Sequence, residues 1–267
     1  MAVSVVLAVA IALIAVLYSS VGHAGASGYL AAMALVGMAP DEMRPTALVL
    51  NVFVATIGTW RFSRAGHFSW PTLWPFLVTA LPLAVLGGSR RPPEYVYKPL
   101  VGIVLLWAGL SLVRRAMSRD SGGAEDSIRA VGMPRLPLAL GVGACVGLMA
   151  GLTGTGGGIF LSPVLIMSGW ATPHRTAGVS VVFVLLVSIA GLAGFVGQAG
   201  AASGAGGLEA LPAELPVYVL AAVVGGTIGS GLGAKKAGGR SIRVLLGVVL
   251  LIAAAKMFLT AGLGMAL

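Results

Sequence analysis

Hydrophobic residues run in long blocks along this chain, and polar residues are confined to short segments between the blocks. A helix needs about 20 mainly apolar residues to cross a bilayer, with a range of about 17–25. Most blocks approach that length, whereas two blocks that follow glycine-rich segments are shorter. The blocks are 2–20, 28–38, 46–60, 70–88, 99–113, 136–152, 158–169, 176–195, 215–232 and 241–261. This pattern predicts an all-α, polytopic membrane protein.

A polar, glycine-bearing segment at 118–129 divides the blocks into two groups of five. We therefore predict a first membrane repeat over 1–117, a cytoplasmic linker over 118–135 and a second membrane repeat over 136–267. The first block has no Lys or Arg before it. Because a secretory signal needs a basic segment there, we expect a retained membrane helix.

The two groups resemble each other when the first is shifted by 130 residues. The shift takes Thr46 onto Thr176 and Gly28 onto Gly158, and no gap is needed between Gly28 and Val54. Over 46–54 and 176–184, matching positions carry the same Thr, Ala, Val and Phe residues. This similarity indicates an internal duplication, and transporters often place their binding site between such repeats.

The distribution of basic residues favours one topology. If all ten blocks cross and the linker is inside, twelve Lys and Arg residues lie in inside loops and four in outside loops. If the two short blocks are re-entrant, the count becomes seven inside and nine outside. The positive-inside rule prefers the first arrangement. It predicts two inverted repeats of about five helical segments each, with broken helices at the glycine-rich motifs, and eight full helices as the alternative.

Composition excludes several classes of protein. Hydrophobic residues make up 58% of the chain and charged residues 9%, against about 25% charged residues in a soluble domain. We therefore expect neither a soluble enzyme nor a nucleic-acid-binding protein. The net charge of +9 is explained mainly by topology and in part by attraction of anions. With a single cysteine and no phosphate-binding loop motif, no metal, cofactor or ATPase activity is expected.

Two glycine-rich breaks, Ser19–Gly28 and Gly151–Gly158, each follow a full-length block and open a short one. A helix that starts inside the membrane presents free N–H groups and about half a positive charge. Two such starts facing one cavity near mid-membrane would bind an anion without a buried Lys or Arg. The alternative is close packing of helices through small residues. The candidate binding residues are Ser19, Ser20, His23, Ser27, Gly28, Asn51, Thr153, Thr155, Gly156, Gly157 and Gly158.

The backbone at Gly156–Gly158 is expected to contact the anion directly. A β-branched side chain would block close approach and disfavour a positive φ angle. On this hypothesis Gly157→Val abolishes transport and leaves the protein in the membrane. If the glycines serve packing instead, the same change lowers the folded yield.

His23 is the one histidine within a membrane block or break. Because histidine titrates near a pKa of about 6.5, His23 is the candidate for a coupling proton or for binding the anion when charged. The alternative is a neutral histidine that supports the broken helix. No Asp or Glu lies inside a block, so the usual carboxylate proton relay is missing. We expect Lys256 to reach the membrane surface, and His67 and His174 to be solvated in loops.

The second half carries a motif that resembles a known family. Residues 154–163 read G-T-G-G-G-I-F-L-S-P, and residues 172–180 read T-P-H-R-T-A-G-V-S. This pattern resembles the sulfite exporter TauE/SafE family of membrane permeases. The matching positions are Gly154, Gly156, Gly157, Gly158, Pro163, Ala177 and Ser180. The first half departs from the motif, with Met33 in place of the proline and Asn51 near the place of the serine.

The resemblance implies a transporter of sulfur-containing anions such as sulfite or organosulfonates, commonly outward, and adds Ser180 to the candidate site. The leading hypothesis is a secondary transporter that works by alternating access. An anion channel and an intramembrane helper protein without transport of its own stay open as alternatives. An enzyme is not expected, because no second membrane His, no carboxylate and no Cys accompanies His23.

The expected location is the cell membrane, as a multi-pass protein, which is the cytoplasmic membrane in a bacterium. The expected partners are a small anionic substrate, such as sulfite or a sulfonate, and the lipid bilayer. No nucleic acid is expected, and formation of a homo-oligomer is left open.

Overall fold

The computed structural model describes residues 2–20, 22–90, 92–117, 132, 134–201, 211–233, 250–252 and 254–259. These residues are largely helical, and no strand occurs among them. The helices are, in order, α1 Ala2–Ser19, α2 Ala26–Val36, α3 Pro40–Arg64, α4 Trp70–Ser89, α5 Glu94–Met117, α6 Leu136–Thr153, α7 Gly158–Met167, α8 Pro173–Ala201 and α9 Leu215–Gly233. The predicted all-α class is confirmed. Most of the predicted linker 118–135 lies outside the described residues.

Five of the described helices are long and apolar enough to cross a membrane. They are Pro40–Arg64, Trp70–Ser89, Leu136–Thr153, His174–Gly197 and Leu215–Leu232. By contrast, α2 has 11 residues and α7 has 10. At 1.5 Å per residue they rise about 15–16 Å, which is roughly half of a 30 Å hydrocarbon core. Neither short helix can therefore cross the core by itself.

Three helices, α3, α5 and α8, are clearly longer than the hydrophobic pattern predicts. The helix α3 begins at Pro40 and takes in Arg44, Arg61 and Arg64, which we expected in loops. Its start suits a helix, with proline at the first position and acidic residues in the first turn. Likewise α8 begins at Pro173, so His174 lies in its first turn rather than in a loop. Hydropathy does not predict these first turns, because the residues that favour a helix start there are polar.

The helices of the two halves pack in matching pairs. Helix α4 lies against α6 and α8, whereas α9 lies against α1 and α3, and α3 and α8 contact each other. Exchanging α1, α3 and α4 for α6, α8 and α9, and the reverse, converts each of these pairs into a member of the same set. This symmetry supports the predicted duplication. Inversion of one half relative to the other stays a prediction.

Glycines set the closest of these helix contacts. In α6, a Cβ atom added at Gly147 would lie 2.3 Å from the carbonyl oxygen of Ala80 on α4. In α9, a Cβ atom at Gly229 would lie 2.1 Å from the carbonyl oxygen of Val16 on α1. Small residues at such positions let helix backbones approach, which is a main source of helix association in lipid. Part of the high glycine content therefore serves packing.

We predict that Gly147→Ala destabilises the protein, by about 1–3 kcal/mol, because the added methyl group overpacks the contact with α4. Gly141→Ala is the matched control, since a Cβ atom at Gly141 meets nothing within 4 Å on the same helix. Thermal unfolding of both purified variants in detergent measures the difference. Equal melting temperatures for the two variants would contradict the assigned α4–α6 contact.

Candidate functional site

The second break separates α6 from α7 through glycines with positive φ angles. Gly154 ends α6 with φ 82°, and Gly156 and Gly157 follow with φ 69° and 77°. Such angles are strained for residues with a side chain and accessible to glycine. No side chain caps the start of α7 at Gly157. The first N–H groups of α7 therefore lack intrahelical acceptors and are available to another partner.

The first break is built in a similar way. Helix α1 ends at Ser19, and Gly22 and Gly25 follow with φ angles of 77° and 109°. Gly25 precedes α2, and no side chain caps the start of that helix. The backbone N–H of His23 donates to the carbonyl oxygen of Tyr18 at 3.0 Å, which holds the imidazole just beyond the end of α1. The predicted pair of broken helices is therefore present.

The two breaks meet at the start of α7. The Nε2 atom of His23 lies 3.2 Å from the carbonyl oxygen of Gly158 and 3.0 Å from the Oγ atom of Ser162. Ser162 Oγ lies in turn 2.8 Å from Ser180 Oγ on α8. Because a carbonyl can only accept, His23 bonds Gly158 when Nε2 carries the proton. We call His23, Gly158, Ser162 and Ser180 the histidine–serine cluster.

A second polar cluster lies beside the glycines of the second break. Asn51 Nδ2 on α3 donates to Ser188 Oγ on α8 at 3.3 Å. A Cβ atom added at Gly156 would lie 2.6 Å from that amide nitrogen and 2.9 Å from the serine oxygen. We call Asn51, Gly156 and Ser188 the asparagine–serine cluster. It is buried, so the backbone of Gly156 faces polar side chains out of contact with solvent.

The two clusters share one face of α8. Ser180, Val184 and Ser188 are spaced by four residues, which places them one above the other on a helix. The γ-methyl groups of Val184 lie next to both Gly156 and Gly158. The apolar side chain of Val184 therefore lies between the clusters, and we call the two serines on this face of α8, Ser180 and Ser188, the polar file.

Each break rests on the opposite half of the chain. A Cβ atom at Gly22 would lie 2.5 Å from the backbone of Ala177 on α8. A Cβ atom at Gly154 would lie 2.9 Å from the backbone oxygen of Arg44 on α3. The first half therefore supports the break of the second half, and the second half supports the break of the first.

Several buried polar atoms near these elements have no hydrogen-bond partner among the described residues. They are Ser19 Oγ, Thr46 Oγ1, Asn51 Oδ1 and Thr176 Oγ1. Thr46 and Thr176 are the pair that the proposed duplication places on each other. Buried polar groups are almost always hydrogen-bonded, so these atoms call for water or a ligand. The asparagine–serine cluster contains one of them.

Not all predicted site residues join the clusters. Ser20 Oγ donates to the carbonyl oxygen of Leu17 at 2.7 Å, and Ser27 Oγ donates to the hydroxyl of Tyr18 at 2.9 Å. Gly28 packs against Ile14 on α1. Ser27 and Gly28 shape the contact between α1 and α2, because small side chains let the short helix lie against the long one, whereas Ser20 bonds within the last turn of α1. Their assignment to the binding site stays a prediction, although their contacts lie outside the two clusters.

The threonines of the second break bond mainly to each other. Thr153 Oγ1 donates to the carbonyl oxygen of Met149 at 2.7 Å and lies 2.9 Å from Thr155 Oγ1. Both side chains are buried. Thr153 is the last residue of α6, and Thr155 directly precedes Gly156 in the break. We therefore place them beside the asparagine–serine cluster along the chain.

A side chain added at Gly157 would point toward apolar residues, so Gly157→Val is a poor test of anion binding. A Cβ atom there would lie 2.7 Å from Val146 and 2.9 Å from Phe183, both apolar. Gly157→Val would therefore disturb helix packing and lower the folded yield, so the variant does not separate binding from packing. Gly156 is the position whose side-chain direction enters the polar cluster.

Two members of the clusters escaped the sequence analysis. Ser162 lies in the glycine-rich motif itself, directly before Pro163, and Ser188 lies eight residues after Ser180. Helical spacing from Ser180 would have pointed to Ser188, since positions four and eight residues apart share a face. Nothing in the sequence pairs Ser162 with His23, because 139 positions separate them.

Lys256 bonds the end of a short helix, a contact that the sequence did not predict, and its position at the membrane surface stays a prediction. Its Nζ atom donates to the carbonyl oxygens of Ala34 and Leu35 at 2.7 and 2.9 Å. These carbonyls belong to the last turn of α2, where the N–H of Gly37 also donates to the oxygen of Ala34 at 3.1 Å. Lys256 therefore caps the short helix, and a positive charge there also suits the helix dipole.

His67 and His174 form a pair outside the clusters. Their ring centroids lie 5.2 Å apart, between the α3–α4 loop and the first turn of α8. Desolvation and then the neighbouring His174 lower the pKa of His67 below its usual value. The carbonyl oxygen of His67 also packs against Gly178 on α8. This pair lies at the α8 end nearest Ala177, which the first break contacts.

The two clusters supply hydrogen-bond donors without a Lys or Arg side chain. They combine hydroxyl groups, one amide, one imidazole and the start of a helix, and none of their side chains is a carboxylate. Among the described residues, no three His, Cys, Asp or Glu side chains lie together as a metal site would need. Such an arrangement suits a small anion with several acceptor oxygens.

Comparison with known proteins places this architecture in a family. The family model described as "Sulfite exporter TauE/SafE" matches residues 7–257. The chain is 38% identical over 254 residues to the "Probable membrane transporter protein y4hK" of Sinorhizobium fredii (strain NBRC 101917 / NGR234), covering 94% of this chain and 96% of that protein. No solved structure matches the chain.

We predict that acidification weakens the contact between the α3–α4 loop and α8. Because the folded-state pKa of His67 is lowered, its contribution to stability is present above the unfolded pKa of about 6.5 and is lost as the pH falls through the folded value. Thermal unfolding between about pH 7.5 and 5 measures this loss. His174→Gln removes the neighbouring charge and should reduce the acid-induced decrease; an unchanged decrease would contradict the coupling.

Proposed function

Because the chain belongs to the sulfite exporter TauE/SafE family, and so is a multi-pass membrane transporter of that type, we propose that it carries small sulfur-containing oxyanions. The substrates are anions such as sulfite or organosulfonates. Transport is secondary, directed outward, and proceeds by alternating access. The anion binds near mid-membrane at the start of α7, between the histidine–serine and asparagine–serine clusters.

The observation that carries this proposal is the meeting of the two breaks. His23 from the first break lies 3.2 Å from the backbone oxygen of Gly158 at the uncapped start of α7. An oxyanion placed there would accept bonds from the first N–H groups of α7 and from nearby hydroxyl groups. Ser162, Ser180 and Ser188 are the hydroxyl donors, all buried. In a site of low dielectric, such neutral donors are strong partners for charge.

Neutral donors also suit a site that must release its ligand. A fixed Lys or Arg in the membrane would leave an unpaired buried charge each time the anion departs, which is costly. A helix start supplies about half a positive charge and hydroxyl groups that rotate. Binding is then favourable enough for the anion to enter and weak enough for it to leave, as transport requires.

The crossed support of the breaks offers a mechanism for alternating access. The first break rests on α8 at Ala177, and the second rests on α3 at Arg44. We propose that tilting one half against the other moves each break together with the opposite half. The polar file along α8 would then open to one side of the membrane at a time.

An anion channel could use the same helix starts, and a helper protein would not transport by itself. Proteoliposomes that contain the purified chain alone separate these functions. Radiolabelled sulfite should enter sulfite-loaded vesicles by saturable counterflow, with thiosulfate, taurine, sulfolactate, sulfoacetate and chloride as competitors. Flux that does not saturate and shows no counterflow would indicate a channel, and absence of flux would indicate a helper.

We predict that Ser188→Ala weakens the apparent sulfite affinity in this assay about tenfold, and at most about a hundredfold. A hydroxyl bonded to a charged group contributes about 1.5–3 kcal/mol. Ser230→Ala is the matched control, since Ser230 is equally buried but donates within α9 to the carbonyl oxygen of Gly226 at 2.6 Å. Equal effects of the two changes would place the anion elsewhere.

A pair of glycine variants checks the same site with backbone strain held constant. Gly156 and Gly157 have φ angles of 69° and 77°, so alanine is similarly strained at both. The methyl group of Gly156→Ala enters the asparagine–serine cluster, whereas that of Gly157→Ala meets Val146 and Phe183. The folded fraction of Gly156→Ala should transport poorly and that of Gly157→Ala normally. The reverse order would refute the assigned site.

We predict that His23→Gln retains sulfite counterflow but loses accumulation driven by a pH gradient. Counterflow exchanges one anion for another and needs no net proton movement, whereas uphill transport needs a group that titrates. Glutamine keeps a hydrogen-bonding side chain near Gly158 and Ser162. Full accumulation in the variant would show that the coupling proton travels by another route, such as on the anion.

A further inference from the structure

A cavity of about 280 Å³ lies on the side of the protein where α3 begins and α4 ends. It is lined by Pro40, Asp41, Arg44, Pro92, Pro93, Glu94, Tyr97 and Phe195. These residues come from the first turn or so of α3, the α4–α5 loop, the start of α5 and the last part of α8. We call this cavity the Arg44 vestibule. Its size suits a small organic anion rather than a bare halide.

Arg44 is the buried cation of the vestibule. Its side chain is 4% exposed, and its guanidinium carbon lies 5.5 Å from the ring centre of Phe195. The guanidinium donates to the carbonyl oxygens of Arg90 at 2.6 Å, of Gly87 at 3.1 Å and of Gly88. These acceptors carry the partial negative charge at the end of α4. Arg44 therefore ties the start of α3 to the end of α4.

The floor of the vestibule adjoins the second break. The hydroxyl of Tyr97 donates to the carbonyl oxygen of Thr153 at 3.4 Å, and Thr153 contacts Thr155. Gly154 packs against the backbone of Arg44 itself. The next glycine of the break, Gly156, belongs to the asparagine–serine cluster. A series of contacts therefore joins the lining of the vestibule to the asparagine–serine cluster.

We propose that the Arg44 vestibule is a second anion-binding site, at which an oxyanion replaces the α4 carbonyls on the Arg44 guanidinium. The proposal rests on the proposed function, since these contacts join the vestibule to the asparagine–serine cluster. A guanidinium presents parallel N–H donors that match two oxygens of a sulfonate or carboxylate group. The exchange keeps the buried charge partnered but gives up the bonds to the carbonyl oxygens of Gly87, Gly88 and Arg90, so binding at this site is weak and reversible.

The acidic residues that line the vestibule discriminate between anions of different charge. Glu94 pairs with Lys98 at 2.5 Å, whereas Asp41 is exposed in the first turn of α3. A carboxylate at the rim repels a dianion about twice as strongly as a monoanion. The vestibule therefore takes monoanionic sulfonates in preference to dianions such as sulfate.

Isothermal titration of the full chain in nanodiscs tests the proposal, with methanesulfonate as the monoanion and sulfate as the dianion. Asp41→Asn should tighten sulfate binding about three- to tenfold and methanesulfonate binding less. Glu42→Gln is the matched control, because Glu42 makes the same charge change one residue away and does not line the cavity. An equal increase in sulfate affinity in both variants, or no increase in Asp41→Asn, would overturn the proposal.

A second pair of variants separates this site from the central one. Wild-type protein should show two classes of methanesulfonate site, one weakened about tenfold by Arg44→Lys and the other by Ser188→Ala. Lysine keeps the charge and loses the paired donors. A single class that only Ser188→Ala weakens would overturn the vestibule proposal. A single class that only Arg44→Lys weakens would support the vestibule and overturn the central site.

Discussion

The structure depends on one constraint, which is that backbone groups freed inside a membrane must find partners where water is absent. Two interrupted helices create such groups near the centre of this protein. Side chains from distant parts of the chain bond helix ends both at these interruptions and elsewhere. Lys256 bonds the end of α2, Arg44 bonds the end of α4, and His23 contacts the start of α7 at Gly158. The contact at α7 leaves its first N–H groups for a ligand.

Glycine serves two separate purposes that composition alone does not distinguish. Along α6 and α9 it lets helices approach until backbone meets backbone, as at Gly147 and Gly229. At the second break it supplies positive φ angles that open a helix, as at Gly156 and Gly157. The first use fixes α4 against α6 and α1 against α9, and the second creates polar sites between them. The closely packed helices thus hold the non-helical segments of the breaks in place.

Hydrophobic blocks were enough to predict the helical class, both breaks and the membrane location. They could not show where helices begin, because the first turns that contain Arg44 and His174 are polar. Five of the residues that the sequence proposes for the site lie in the two clusters, namely His23, Asn51, Gly156, Gly158 and Ser180. Ser20, Ser27 and Gly28 do not, since the direction of a side chain depends on how α2 packs on α1. Ser162 needed the fold, because its partner His23 is 139 positions away.

The central claim is that an oxyanion binds between the two breaks, at the start of α7. Crystals of the protein grown with selenite, whose selenium scatters anomalously, test this claim most directly. The account predicts an anomalous peak from the selenium atom of a selenite bound at the start of α7. The selenite oxygens should lie about 3 Å from the backbone nitrogens near Gly158 and from the hydroxyl of Ser188. Peaks confined to the lipid-facing surface, or to the Arg44 vestibule alone, would contradict it.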